Sequence, residues 1–140
     1  MQVMDGVTLM TTAPTPASLI ALRQRVGWTS PAVNVVEQSL ANSLFIVCAY
    51  DGARLVGTGR IVGDGAMYFY LQDLLVDPEY QRQGIGRLLM EEIESFLRQR
   101  AQPGATIGLF AAHGKEDFYQ AFGYQRRTGQ VLGMGMCKFV

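Results

Sequence analysis

Charge of either sign is scarce and balanced: twelve Lys and Arg offset twelve Asp and Glu, so the 140-residue chain has no formal net charge. That excludes the broad positive field on which nucleic-acid binders depend, and no nucleic-acid partner is expected. No apolar run approaches the roughly 20 residues of a membrane helix. The first residues, Asp5 among them, lack the basic segment and apolar core of a signal peptide. No membrane partner is expected, and the chain reads as soluble and cytoplasmic. Histidine occurs once, at His113, and cysteine twice, at Cys48 and Cys137. Neither zinc spacing nor a ligand cluster is present, so no metal is expected. A cysteine nucleophile would have only His113 as a partner, and that residue lies in a Gly-Lys turn where solvent exposure is expected. Both thiols sit in apolar stretches and are expected to be reduced and buried. No repeat, low-complexity tract or linker interrupts the chain, so residues 1–140 are expected to form one domain. What is plentiful is apolar content, 49% of residues, enough for an ordinary core.

A further absence is local. After Val76 the apolar run stops at Asp77-Pro78, and from Ile85 apolar residues recur at helical spacing through Leu88, Leu89, Ile93, Phe96 and Leu97. The start of this helix offers no Ser, Thr, Asp or Asn as a cap, and its first acids are Glu91 and Glu92. Arg82 and Arg87 flank it instead, opposing the helix dipole. Gly84 and Gly86, lacking Cβ, would let an anion approach the free N–H groups of the first turn, and a polyanion there would resolve the conflict with the arginines. The alternative is that the glycines only tighten a turn and the arginines point into water.

The remaining pattern predicts strands and helices in alternation. Val7 to Thr11 is an expected first strand. Thr15-Pro16 starts a helix ending near Gly27, and Ser30-Pro31 starts a second one closing toward Asn42. Leu44 to Tyr50, Arg54 to Val62 and Met67 to Val76 are expected as antiparallel strands, the first two joined across Asp51-Gly52. Thr106 to Ala111 is predicted as a buried strand, Glu116 to Ala121 as a short helix, and 124–127 and 134–139 as closing strands. The order describes a mixed α+β sheet packed between helices. Gln72 and Asp73 interrupt an apolar strand and must find partners, because an unpaired buried polar group costs a few kcal/mol. Strict alternation sends them to opposite faces unless a bulge intervenes.

The pattern Gln81-x-x-Gly84-x-Gly86, between that strand and helix, resembles the acyl-coenzyme A pyrophosphate signature of the GNAT superfamily of N-acetyltransferases. The segment Phe118-Tyr119-Gln120-Ala121-Phe122-Gly123-Tyr124 resembles the family's C-terminal helix-to-strand region. A weaker resemblance links the run from Gly123-Tyr124 to Gly133-Met134-Gly135-Met136 to the branch of serotonin-type arylalkylamine acetyltransferases.

The resemblance implies a GNAT fold: a central, mostly antiparallel, twisted sheet of six to seven strands flanked by four helices. It implies transfer of acetyl from acetyl-coenzyme A to a primary amine of a small molecule, by direct attack in a ternary complex. Backbone groups of Arg82, Gln83, Gly84, Ile85, Gly86 and Arg87 would cradle the pyrophosphate, and Leu74, Leu75 and Val76 would run beside the pantetheine arm. Tyr119 would protonate the leaving thiolate. Asp73 is the candidate general base; Gln72 stands where the family often has Glu, which leaves water-relayed deprotonation open. Trp28, Tyr70 and Gln72 are candidates for the acceptor pocket, although Trp28 can equally staple its loop to the core. Phe118, Phe122 and Tyr124 are assigned to packing. Homodimers are common in the family. Two other readings stay open: a noncatalytic acyl-coenzyme A sensor or partner-binding module, and an acetyltransferase acting on a protein or peptide.

Overall fold

The computed structural model describes residues 2–4 and 6–140, whose contacts fall into two units, one ending at Gly108 and one spanning Leu109–Val140. In the first unit the sheet is built on strands β2 (Val7–Met10), β3 (Phe45–Asp51), β4 (Arg54–Gly63), β5 (Tyr68–Val76) and β6 (Thr106–Leu109, whose last residue belongs to the second unit). A three-residue segment that the sequence pattern did not suggest, β1 (Gln2–Met4), adds an outer edge. The spatial order is the chain order, β1 to β6, and β1 through β5 pair antiparallel. The β3–β4 turn uses Gly52 at φ +60°, a left-handed value that glycine adopts without strain.

Helices α1 (Pro16–Arg25) and α2 (Val33–Ala41) cover one face. Thr15 caps α1 by accepting from the Ser18 N–H at 3.1 Å, and Pro16 occupies its first position as expected. The start of α2 differs from expectation. Its cap position is Ala32, and the Ser30 hydroxyl accepts a hydrogen bond from Arg23 Nε at 2.8 Å. Leu19, Leu22, Val36 and Leu40 from these helices pack with Ile46, Cys48, Leu55 and Leu75 from the sheet.

Helix α3 (Ile85–Arg100) covers the opposite face. Gly57 and Gly59 on β4 let it approach closely: a Cβ at Gly59 would lie 2.7 Å from Ile93 Cδ1 and 3.1 Å from Leu74 Cδ1. Phe96 of α3 stacks on Phe45 at 4.7 Å between ring centroids. Because Ile93 is fully buried, Gly59→Ala is expected to cost about 1–3 kcal/mol by overpacking. Denaturant unfolding measures this, and Ile93→Val, which removes the clashing methyl, should recover part of the loss. Additive costs in the double variant would count against the clash.

Strand β5 contains the bulge that breaks alternation. Thr58 pairs with Leu75 but Arg60 pairs with Gln72, so Asp73 and Leu74 together face Gly59. Asp73 makes this possible by adopting φ +55°. Gln72 and Asp73 therefore share the α1/α2 face, and Leu74 turns toward α3, next to Gly59.

Two strand expectations need correction. β6 is only half-buried, with Thr106 exposed, because it occupies the sheet's edge. The closing strands at 124–127 and 134–139 are not formed. In the second unit, α4 (Glu116–Gln120) is followed by residues 121–140 without helix or strand. Their alternation of apolar residues needs a neighbouring ladder to become a strand, and Val131, Met136 and Phe139 are instead 96%, 89% and 92% exposed. Cys137 is exposed with them, against the expectation of burial, whereas Cys48 is buried and burial pushes its thiol pKa up. Among the described residues, no helix is long and apolar enough to cross a membrane, and no group of three or more His, Cys, Asp or Glu could hold a metal ion.

Candidate functional site

Between β5 and α3 the chain makes a 3-10 turn, Pro78–Tyr80, and an exposed loop, 81–84. Asp77 anchors this junction. Its side chain is 1% exposed, accepts from the Glu79 N–H at 2.9 Å, and pairs with Arg25 Nε at 2.6 Å and with an Arg54 terminal nitrogen at 3.0 Å. Burial alone would raise its pKa; the Glu79 N–H, Arg25 and Arg54 outweigh that and hold it below the ordinary carboxylate value. Arg25 also donates to the Leu55 carbonyl at 2.7 Å, tying α1 to β4. Tyr80 donates a hydrogen bond to Asp51 and lies under Arg54, 5.9 Å from ring centroid to Cζ.

The loop then takes two left-handed steps, Arg82 at φ +64° and Gly84 at φ +86°. Gly84 is the cap residue of α3 without a side-chain hydrogen bond to the helix, and the first turn holds no acid. A Cβ at Gly84 would meet nothing within 4 Å. The space is open to an incoming group. Arg82, Gln83 and Arg87 are exposed, Ile85 is buried and fastens the helix to the sheet, and Gly86 is half-buried. Arg87 reaches Glu91 at 3.3 Å in a surface pair, which contributes little and leaves the cation accessible. Gln81 donates its amide to the Val76 carbonyl at 3.0 Å, closing the loop back on β5. Free helix N–H groups, left-handed turns and two exposed cations suit a diphosphate. The residues present fit coenzyme A.

On the α1/α2 face, Asp73 is buried and its carboxylate is occupied. Arg23 donates to Oδ1, Arg60 Nε donates to Oδ2 at 3.0 Å, and the Gln72 amide adds a contact to Oδ1 at 3.3 Å. Arg60 continues to the Ser39 carbonyl at 3.3 Å and the Ser39 and Ser43 hydroxyls at 3.0 Å each. Trp28 is half-buried against the core cluster, with Arg23 Cζ 5.4 Å above its ring, so the structure supplies the stapling contacts. Leu75 belongs to that same cluster, Leu74 and Val76 are half-buried, and Tyr70 is half-buried.

Tyr119 lies on α4 in the second unit, half-buried, its ring edge-on to Phe118 at 5.2 Å and to Tyr124 at 6.3 Å. Phe118, Phe122 and Tyr124 are half-buried. His113 is exposed. Sequence reasoning missed Arg23, Arg25 and Arg60 entirely and saw Asp77 only as the end of a strand. A signal existed for one of them: Arg60 sits inside an apolar strand, where a buried cation demands an acid.

Strand, left-handed turn and uncapped helix start define an α+β fold with an open helix N-terminus. The chain belongs to the GNAT acetyltransferase family, whose acetyltransferase (GNAT) domain model matches residues 24–140. It is 31% identical over 127 residues to histone acetyltransferase TAP1 of Glycine max, covering 83% of this chain and 54% of that protein. It is 31% identical over 84 residues to serotonin N-acetyltransferase 2, chloroplastic, of Oryza sativa, at the lower coverage of 60% of this chain. Among solved structures, a probable acetyltransferase of meticillin-resistant Staphylococcus aureus superposes with a TM-score of 0.86 at 31% identity, covering 94% of this chain and 99% of that one. The chain spans about half the length of the leading curated relatives it matches.

Proposed function

We propose that this protein transfers acetyl from acetyl-coenzyme A to a primary amine of a small molecule, by direct attack in a ternary complex within a single domain, residues 1–140. The observation that carries the reading is the helix start at Gly84: left-handed, uncapped, and flanked by exposed Arg82 and Arg87. When bound, acetyl-coenzyme A supplies an activated acyl group on a sulfur leaving group. Backbone N–H groups from Arg82 to Arg87 would hold its diphosphate, with the two arginines adding charge. Backbone groups of Leu74, Leu75 and Val76 would lie along the pantetheine, and an N–H near Leu74 or Leu75 would stabilise the developing oxyanion. Trp28 and Tyr70 would border the acceptor.

Asp73 does not suit the role of general base. Both of its oxygens already accept from Arg23 and Arg60, and Gln72 spends its amide on the same carboxylate. Deprotonation of the amine by a water relay is the better-supported route. Tyr119 would donate the proton to the leaving thiolate; the motif around it supports this, and a phenol carries its proton at neutral pH. A cytoplasmic setting is part of the proposal, supported by two free cysteines, with a plastid as the alternative that the chloroplastic relative raises.

Coenzyme A release measured with acetyl-coenzyme A and a panel of aromatic amines, polyamines, amino acids and peptides tests the function. Tyr119→Phe is expected to lower kcat on the accepted amine by about a hundredfold, the lower end of what a positioned acid supplies, with cofactor affinity retained. An unchanged kcat would remove Tyr119 from the acid role. A second reading, a protein or peptide acceptor, is favoured by the name of the Glycine max relative, and turnover on peptides alone would select it. Binding without any turnover would select the sensor reading.

A further inference from the structure

We infer that Arg23 and Asp73 form a positioning device that fixes the α1–α2 turn, and with it Trp28, to the β5 bulge. The inference about acceptor handling rests on the proposed function; the structural coupling does not.

One guanidinium serves three successive turn residues. Arg23 stands over the Trp28 ring at 5.4 Å, donates to the Thr29 carbonyl at 2.8 Å, and donates through Nε to the Ser30 hydroxyl at 2.8 Å. The Trp28 N–H in turn donates to the Arg23 carbonyl at 2.8 Å. The remaining terminal nitrogen reaches Asp73, fifty residues away in sequence. Asp73 is an immobile anchor: its side chain is 1% exposed, it sits at the left-handed step of the bulge, and Arg60 fastens it to Ser39 and Ser43 at the end of α2. The α1–α2 turn and the C-terminal end of α2 are thus tied to one carboxylate.

Geometry makes this specific to Arg. A fork with donors on Nε and on both terminal nitrogens can hold three partners in one plane, and a lysine ammonium cannot reproduce that arrangement. Asp73 then acts on the acceptor through Arg23 and Trp28. It is a positioning residue, held at φ +55° by its hydrogen bonds to Arg23 and Arg60.

Trp28 is the only tryptophan in the chain, so its emission reports the turn directly, without turnover. Arg23→Gln and Asp73→Asn are expected to red-shift that emission and make it easier to quench with acrylamide, while circular dichroism and coenzyme A affinity stay as in the parent. Arg23→Lys should resemble Arg23→Gln. With an accepted amine, both variants should raise the KM for the amine roughly tenfold, the worth of one charge-assisted contact, with a smaller change in kcat. The two substitutions combined should do little more than either alone. Unchanged Trp28 emission and quenching in both folded variants would overturn the coupling. A collapse of kcat confined to Asp73→Asn, with Arg23→Gln active, would overturn the positioning role and restore Asp73 as the base. If Asp73→Asn fails to fold, Arg23→Gln alone decides through its emission. Absence of turnover in the parent protein would count against the proposed function and leave the fluorescence result standing.

Discussion

Gly84→Glu is expected to weaken coenzyme A binding roughly a thousandfold, about 4 kcal/mol. Any side chain at φ +86° strains the folded protein by about 1–2 kcal/mol with or without the cofactor. The loss of affinity is electrostatic. The new carboxylate would stand at the positive end of α3, satisfy the N–H groups itself, and repel a diphosphate approaching Arg82 and Arg87. Open space around Gly84 means the substitution creates no packing conflict, so folding should survive. Stability of the free protein should fall by no more than about that 1–2 kcal/mol, since the acid at the helix start offsets part of the strain. Calorimetric titration with coenzyme A measures the loss, and Gly84→Asn, which tolerates the left-handed conformation without charge, should retain most of the affinity. Parent-like binding by Gly84→Glu would place the cofactor elsewhere.

Asp77→Ala is expected to remove about 3 kcal/mol of stability, the cost of breaking a buried ion pair from one side. The figure sits at the low end because Arg25 and Arg54, 31% and 44% exposed, reach water when abandoned. Three connections are lost at once: the tie to α1, the tie to the start of β4, and the cap on the Pro78–Tyr80 turn. Chemical denaturation should show the lower midpoint. The same carboxylate predicts an acid response. Its folded pKa lies below the unfolded value near 3.8, so its stabilisation is complete above that value and disappears as pH falls through the folded pKa. Asp77→Asn should therefore be less stable than the parent at neutral pH, with the gap narrowing in acid. A gap that stays constant down to low pH would mean that Asp77 contributes through packing alone.

Elements whose signals are local were legible in the sequence. The Thr15-Pro16 start, the Asp51-Gly52 turn and the helical spacing from Ile85 each translate directly into the structure. The uncapped helix start was visible because it was an absence within a few residues. Failures arose where a local signal needed a distant partner. Ser30-Pro31 carried a start signal, yet Arg23 takes the Ser30 hydroxyl and α2 begins at Val33. The alternation at 134–139 is present, but no ladder receives it. Asp73 reads in the sequence as a candidate general base, and its partners Arg23 and Arg60, fifty and thirteen residues away, announce nothing about their target in one dimension. The bulge was foreseen only as a condition, since a left-handed Asp leaves no mark on an apolar pattern.

The bulge also sets a rule of length. Inserting one residue opposite Gly59 reverses the facing of everything after it, so that Leu75 enters the α1/α2 core and the strand delivers Asp77 to Arg25 and Arg54. A chain shortened by one residue between Gln72 and Leu75 would restore an ordinary pleat while handing the turn at 77–84 over out of phase. Single-residue deletions should therefore be lethal in this stretch of β5 and mild in the exposed turn at 102–104, although no side chain in either place need be replaced. The spacing between strand and helix is itself inherited information, counted in residues and indifferent to their chemistry.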